Sequence, residues 1–400
     1  MTNPNKVAMT MTVLALWAAG AAAQPAAEAW PERAARRSRE AEQLGLAEPF
    51  RGITRDGTVE PGLFPLRATG VTTEPVRAAA AAWLATLSAE QRAAALFPVD
   101  DVEWRKWMNQ DFYVRQGVSF KDMTEAQRTA AFALLKAALS AKGLQLSRDI
   151  MHLNETLGEL NNNDFVRYGE RLYWVTVMGE PSATQPWGFQ IDGHHLVINY
   201  FVLGDQVVMS PVFLGSEPVT ATTGKYAGTS VLQTEQALGF AMLTSLDAAQ
   251  RAKAVLTPVK RGNNNLTEAF KDNVVLEYAG VRAKELSAAQ RAKLMELIEV
   301  FVANMDDGHA RVKLDEVRAK LDETSFAWIG GPEDGGVFYF RVQSPVVLIE
   351  FDHQLPVNTR HLSKNPQVPD RQHIHIVVRT PNGNDYGKDL LRQHLLAQPH

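Results

Sequence analysis

Histidine is the residue type that best marks possible chemistry in this chain, because only ten are present and four of them occur in two close pairs. His373 and His375 are separated by one residue, whereas His194 and His195 are adjacent. Residues two apart in a strand share a face, so the first pair brings two imidazoles together, and one of the adjacent pair can join them. Imidazole is a common metal ligand. His194, His195, His373 and His375 are therefore candidate metal ligands.

Two acidic residues end a short apolar run. Glu350 and Asp352 follow Val346–Ile349 and share one face of the predicted strand. Buried carboxylates are costly unless they are paired or bound to a metal. Arg341 and Arg379 are available partners, so the sequence leaves two interpretations open. One is a structural ion-pair network of these four side chains. The other is a metal site, in which Glu350 or Asp352 binds the ion together with the histidines, the remaining carboxylate acts as general base and an arginine anchors an anion.

Three further residues are candidates for ligand binding. Trp187 offers a flat apolar wall at the start of a predicted strand. Asp385 stands where a helix begins, and His394 lies near the end of that helix. Helix capping alone explains Asp385, and a protonated His394 would suit the helix dipole.

Composition excludes several kinds of site. The chain has 400 residues, a formal net charge of -4 and no cysteine. Thiolate zinc sites, iron–sulfur clusters and cysteine nucleophiles are therefore excluded, and a metal must be held mainly by histidine, carboxylate or backbone oxygen. The near-neutral charge gives no electrostatic footprint for nucleic acid.

The N-terminus resembles a secretory signal peptide. A short head with Lys6 precedes the apolar residues 7–19, and three alanines end at Ala23. The apolar run is shorter than the roughly 20 residues of a membrane span. We expect cleavage after Ala23, a periplasmic or secreted location and no membrane span in the mature chain. The expected domains are a signal peptide at 1–23, a tail with one short helix at 24–75, and a single domain at 76–400.

The remaining pattern predicts an α+β fold. Residues 171–178, 187–191, 194–203 and 206–214 alternate like strands, with turns at 192–193 and 204–205, and predict an antiparallel meander. A second β region is predicted from strands at 337–343, 346–352 and 373–379, followed by a helix at 386–396. Capped amphipathic helices are expected to pack around both regions.

One helix start recurs four times. A Ser, Thr or Asp precedes Gln by three residues at Ser88, Thr124, Asp247 and Ser287, which is the pattern of a capping box. A tandem interaction repeat is one interpretation. The unequal intervals do not suit a solenoid and favour four independently capped helices.

Taken together, these motifs resemble the secreted bacterial family catalogued as domain of unknown function 3500, over roughly residues 80–400. The resemblance itself implies no activity, but it nominates residues 193–196, Glu350, Asp352, His373, His375, Arg379, Asp385 and His394 as a candidate site. The motifs that carry it are, in order, Gly179-Glu180-Pro181-Ser182, Pro186-Trp187-Gly188, Gly193-His194-His195-Leu196, Pro211-Val212-Phe213-Leu214-Gly215, Phe326-Ala327-Trp328-Ile329-Gly330, Tyr339-Phe340-Arg341, Glu350-Phe351-Asp352, His373-Ile374-His375, Arg379 and Asp385-Tyr386-Gly387-Lys388-Asp389 with His394.

Three functional hypotheses follow from the sequence. The first is a metal-dependent enzyme of the cell envelope, hydrolase or oxidoreductase, with one divalent ion, zinc favoured over iron or copper, and a small-molecule substrate. The second is a non-catalytic periplasmic binding protein with an Arg/His site for an anionic ligand. The third is a purely structural network of the same side chains.

Overall fold

A computed structural model describes residues 29–397, and the expected signal peptide lies outside these residues. Over this range the chain forms ten α-helices and twelve strands, which confirms the α+β fold. The predicted short helix of the tail is α1, Trp30–Gly45. None of the helices in residues 29–397 combines the length and the apolar character that crossing a membrane requires.

Two consecutive segments of the chain repeat the same order of elements. The first contains α2 Glu74–Ala85, α3 Ala89–Ala95, β1 Leu96–Phe97, β2 Val118–Ser119, α4 Glu125–Ala138, α5 Ala141–Leu160, β3 Tyr173–Met178, β4 Trp187–Gly193, β5 Leu196–Leu203 and β6 Gln206–Ser216. The second contains α6 Gln233–Ser245, α7 Ala248–Ala254, β7 Val255–Thr257, β8 Val281–Arg282, α8 Ala288–Val302, α9 Asp307–Ala319, β9 Ser325–Ile329, β10 Tyr339–Gln343, β11 Leu348–His353 and β12 Ile374–Arg379. The two segments are therefore structural repeats of each other, and α10, Lys388–Ala397, follows them.

Both predicted β regions belong to one sheet. Its strand order is β1-β3-β4-β5-β6-β12-β11-β10-β9-β7, with β2 beside β3 and β8 beside β9. Each repeat contributes an antiparallel meander, and the last strands of the two meanders pair antiparallel. The order reads the same from both edges, so the two repeats are related by a pseudo-two-fold axis through the β6–β12 seam.

The four predicted capping boxes form, two in each repeat. The helices were expected to be independent of one another, and in this respect the prediction is wrong. Gln91 and Gln127 hydrogen-bond to each other through their side chains in the first repeat. Gln250 and Gln290 do the same in the second. Each box therefore satisfies a helix N-terminus and also joins it to the neighbouring helix start.

The two faces of the sheet differ in chemistry. Near the seam, one face is apolar, with Ile376 and Phe351 paired and buried in the main core. The other face carries the register pairs Asp352–His375 and Leu348–Arg379. Long connections cover it, among them residues 98–117 between β1 and β2 and residues 258–280 between β7 and β8. A buried Arg105–Asp272 ion pair of 2.8 Å joins these two covering segments.

Candidate metal centre

His195 is held in a strained turn. The predicted turn at residues 192–193 is wrong: β4 continues through Gly193, and His194 and His195 make the turn to β5. His195 has a φ of +64°, a left-handed conformation that is uncommon for residues other than glycine. Such residues persist only where the surrounding structure holds them, and they cluster at functional sites. Its N–H donates to the carbonyl of Asn109 at 3.2 Å, and its own carbonyl accepts from Gly215 N–H at 2.8 Å. These contacts fix the imidazole near the sheet seam.

Gly215 makes room for that imidazole. It lies opposite His375 in the β6–β12 pair. A β-carbon at this position would stand 3.2 Å from Cδ2 of His195 and 2.6 Å from the carbonyl oxygen of Ile374. Only glycine permits this approach without a shift of backbone or ring.

The other two imidazoles come from the second repeat and are oriented by hydrogen bonds. His373 precedes β12, and its Nδ1 donates to the carbonyl of Leu355 at 2.7 Å. His375 lies within β12, and its Nδ1 is 2.7 Å from Oε1 of Glu268. Such outer partners fix the ring and leave Nε2 as the ligand atom.

The three Nε2 atoms converge. The distances are 2.9 Å between His373 and His375, 3.2 Å between His195 and His375, and 3.3 Å between His195 and His373. Zinc–nitrogen bonds of about 2.0–2.1 Å in tetrahedral geometry imply separations of about 3.3 Å, close to those observed. All three residues are buried, and among the described residues they form a group with the spacing of a metal site.

Burial keeps the rings of His195 and His373 in the form that binds metal. Desolvation holds the pKa of His195 well below its usual value, and the neighbouring histidines add to this. Burial also lowers the pKa of His373, although the nearby Glu217 carboxylate opposes the shift. A neutral imidazole has a lone pair available for a cation, so His195 and His373 are suited to bind a metal ion.

Glu350 and Asp352 do not join the histidines directly, and they anchor the segment that carries Glu268. Glu350 accepts hydrogen bonds from the N–H groups of Leu266 and Thr267 and from the hydroxyl of Tyr339. Burial raises the pKa of Glu350, and these donors oppose that shift. The side chain therefore holds a backbone segment in place.

Asp352 anchors the preceding part of the same segment. It accepts from Asn264 N–H and from the side chain of Gln354, both at 2.6 Å, and its other oxygen lies 2.8 Å from Nζ of Lys260. Burial raises the pKa of Asp352 to about 7, and Lys260 counteracts part of this effect.

Arg379 is also committed to the interior. Its guanidinium donates to the carbonyls of Thr267 and Glu268 and forms ion pairs with Asp272 and Asp385. It is fully buried. It thus holds the segment that carries Glu268 in place, and its N–H groups bind protein acceptors rather than a ligand.

The remaining predicted site residues are not part of the group formed by His195, His373 and His375. His194 faces Asn154 through Nδ1 and stacks on His195. Arg341 donates to the carbonyl of Glu277. Trp187, Asp385 and His394 are all buried. Trp187 donates a hydrogen bond to the carbonyl of Ser182, and Asp385 accepts hydrogen bonds from Ser210 and Arg379. His394 lies on α10.

Sequence reasoning missed two carboxylates that organise the centre. Glu268 lies in a segment that begins with an asparagine cluster, which has no obvious chemical pattern. Glu217 follows β6 and accepts from the N–H groups of Val357, Asn358 and Thr359. It thereby fixes the loop whose Leu355 carbonyl orients His373. The sequence did contain one signal for Glu217, because an acidic residue shortly after a predicted strand is placed to face a site at the end of the sheet.

Comparison with known proteins identifies a family but no characterised relative. The model of a family described as "Protein of unknown function (DUF3500)" matches residues 69–388. No curated protein and no solved structure matches the chain.

Proposed function

The chain belongs to the DUF3500 family, and we propose that it is a metal-dependent enzyme that binds one divalent ion through His195, His373 and His375. The observation that carries the proposal is the convergence of three Nε2 atoms within 3.3 Å of one another. Three protein ligands leave one position of a tetrahedral ion for water or substrate, which is the pattern of catalytic rather than structural zinc.

Zinc is the first choice among the metals. Three neutral nitrogen donors suit zinc, and they also accept iron(II) or copper. When bound, such an ion polarises a carbonyl or activates water. The protein's contribution is to fix the rings: the Leu355 carbonyl orients His373, Glu268 orients His375, and the strained turn presents His195.

Glu350, Asp352 and Arg379 act indirectly in this proposal. They hold the segment that carries Glu268, as their hydrogen bonds to Leu266, Asn264 and the Thr267 carbonyl indicate. The substrate is proposed to be a small molecule that reaches the open position of the ion.

Metal analysis of the purified protein tests the proposal. After incubation with zinc and removal of free metal, wild-type protein should retain about one equivalent. The double variant His373→Ala, His375→Ala should retain almost none, while His361→Gln, at an exposed histidine, should behave as wild type. Equal metal contents in wild type and the double variant would refute the site.

A second measurement distinguishes an open catalytic ion from a closed structural one. Cobalt(II) in place of zinc gives a visible spectrum that depends on coordination. Azide should change the spectrum of the cobalt protein, because an open position accepts the anion. An unchanged spectrum up to high azide would show a closed site and would argue against an enzyme.

Export to the periplasm or beyond is part of the same proposal. It rests on the basic head, the apolar residues 7–19 and the alanines that end at Ala23. N-terminal sequencing of the protein recovered from the envelope fraction should give Gln24 as the first residue. An intact Met1 in that material would contradict cleavage.

A further inference from the structure

A second candidate site lies in a groove beside helices α4 and α5, and it shares no residue with the metal centre. Its volume is about 510 Å³, which is within the usual range of small-molecule pockets. The residues that line it come from both helices, from the segments before α4 and β3, and from the connection after β6: Phe120, Glu125, Arg128, Thr129, Phe132, Ala133, Lys136, Arg148, Met151, His152, Glu170, Arg171 and Tyr226.

The carboxylates of the groove are already neutralised. Glu125 forms an ion pair of 2.8 Å with Arg128. Glu170 forms one of 3.0 Å with Lys225. Two cations, Lys136 and Arg148, therefore add positive charge that no groove carboxylate balances, in a chain whose formal net charge is -4.

Lys136 and Arg148 are available to a ligand. Neither side chain makes a hydrogen bond or an ion pair with any residue in the described part of the chain. The guanidinium of Arg148 lies 4.6 Å above the ring of Phe132. Stacking on a ring leaves the N–H groups at the edge of the guanidinium, which can then bind a carboxylate or phosphate with two hydrogen bonds.

The groove also has aromatic walls. His152 and Tyr226 stack with ring centroids 3.9 Å apart and planes inclined by 12°. Burial lowers the pKa of His152, which favours its neutral ring. Phe132 contributes another aromatic surface beside Arg148. A ligand with a planar ring can thus contact apolar faces while its charged group meets the cations.

The duplicated architecture shows that the fold itself does not require this charge. Lys136 stands twelve residues after the cap Thr124, and Glu299 stands twelve residues after the equivalent cap Ser287. The repeat unit accepts a negative charge at this position of its helix. The two repeats therefore differ in charge at this position, and Lys136 places a cation beside the groove where the second repeat has a carboxylate.

We propose that this groove binds a small anion that carries an aromatic ring. Its carboxylate or phosphate group contacts Arg148 and Lys136, and its ring packs against Phe132 and the His152–Tyr226 pair.

Calorimetric titration of the metal-loaded protein with benzoate and with phenyl phosphate tests the proposal. At least one should bind saturably, and benzyl alcohol, which has the ring but no charge, should bind at least tenfold more weakly. Binding of benzoate alone identifies a carboxylate ligand, and binding of phenyl phosphate alone identifies a phosphate. The double variant Lys136→Ala, Arg148→Ala should lose at least tenfold in affinity, whereas Lys293→Ala on α8 should not change it.

Several outcomes would overturn the inference. They are the absence of saturable binding of both anions, equal binding of benzyl alcohol, or equal affinity of the double variant. If the double variant does not fold, Lys136→Glu carries the test, because it introduces the residue that the second repeat has at the equivalent position. The variant His373→Ala, His375→Ala should still bind the anion, which separates this site from the metal centre.

Discussion

Oε1 of Glu268 lies 2.7 Å from Nδ1 of His375, and both residues belong to the second repeat. The carboxylate therefore fixes the tautomer of the imidazole and points its Nε2 toward His195 and His373. Asn265 donates to the same oxygen at 3.0 Å and limits the rotation of the glutamate.

Replacement of Glu268 should weaken the metal centre without removing a ligand. We expect Glu268→Gln to reduce zinc affinity about 10–100-fold, the usual cost of losing an outer partner. Competition with a coloured chelator measures this affinity. Glu296→Gln, at an exposed position of α8, is the matched control. An affinity equal to wild type would show that Glu268 does not orient His375.

The glycine under His195 should be equally sensitive. Gly215→Ala would place a methyl group 3.2 Å from the His195 ring and 2.6 Å from a backbone oxygen. We expect a loss of zinc binding and a reduction of about 1–3 kcal/mol in the free energy of unfolding, as for other overpacked sites. Urea denaturation and metal analysis provide the two values. Gly262→Ala, where the added methyl meets open space, should leave both near wild type.

Loss of Glu350 should affect stability before it affects chemistry. In Glu350→Ala, the N–H groups of Leu266 and Thr267 and the Tyr339 hydroxyl lose a buried acceptor. Unsatisfied buried donors cost about 1–3 kcal/mol each, so we expect the unfolding free energy to fall by at least about 3 kcal/mol. Urea denaturation of the apo-protein tests this. A Glu350→Ala variant as stable as wild type would contradict this structural role.

Removal of the metal should lower the Tm of the protein, and this effect should require the histidines of the metal centre. A ligand at 100 times its Kd stabilises a fold by about 2.7 kcal/mol. A chelator should therefore lower the Tm of zinc-loaded wild type, and added zinc should restore it. The variant His373→Ala, His375→Ala should have the same Tm with and without zinc. A zinc-dependent Tm in that variant would locate the bound ion elsewhere.

One buried acid should make stability depend on pH away from the metal centre. Burial raises the pKa of Glu103 from 4.5 to about 8. The contribution of this group to the free energy of unfolding is therefore fully present below its pKa in the unfolded state, 4.5, and is lost as the pH rises through its pKa in the folded state, about 8. We expect Glu103→Gln to stabilise the protein by about 1–3 kcal/mol at pH 9 and to change little at pH 4.5. Urea denaturation at both values tests this, with the exposed Glu299→Gln as control. Equal effects at both pH values would contradict it.

Much of the fold could be predicted because its signals are local. Alternating apolar residues indicated the strands, and the Ser, Thr or Asp three residues before a glutamine indicated four helix starts. The pairing of Gln91 with Gln127 and of Gln250 with Gln290 is not local. A pattern within one helix start contains no information about which other start it contacts. The sequence therefore favoured four independent helices over a repeat, whereas the structure pairs them within two repeats.

The metal centre was predictable only in part. His373 and His375 were nominated because residues two apart share a strand face. His195 was assigned to a strand, whereas it lies in a turn at positive φ, which side-chain sterics disfavour and only the surrounding contacts support. Glu268 was missed because its partner is 107 residues away in the chain.

The position of the three histidines makes metal binding sensitive to how the two repeats pair at the β6–β12 seam. His195 belongs to the first half, and His373 and His375 belong to the second, across the β6–β12 seam. Neither half has enough of these rings to hold an ion firmly by itself. A slip of one half against the other by a single residue would separate the donors by more than a coordination bond allows. A tightly held ion would therefore show that β6 and β12 have paired in the correct register.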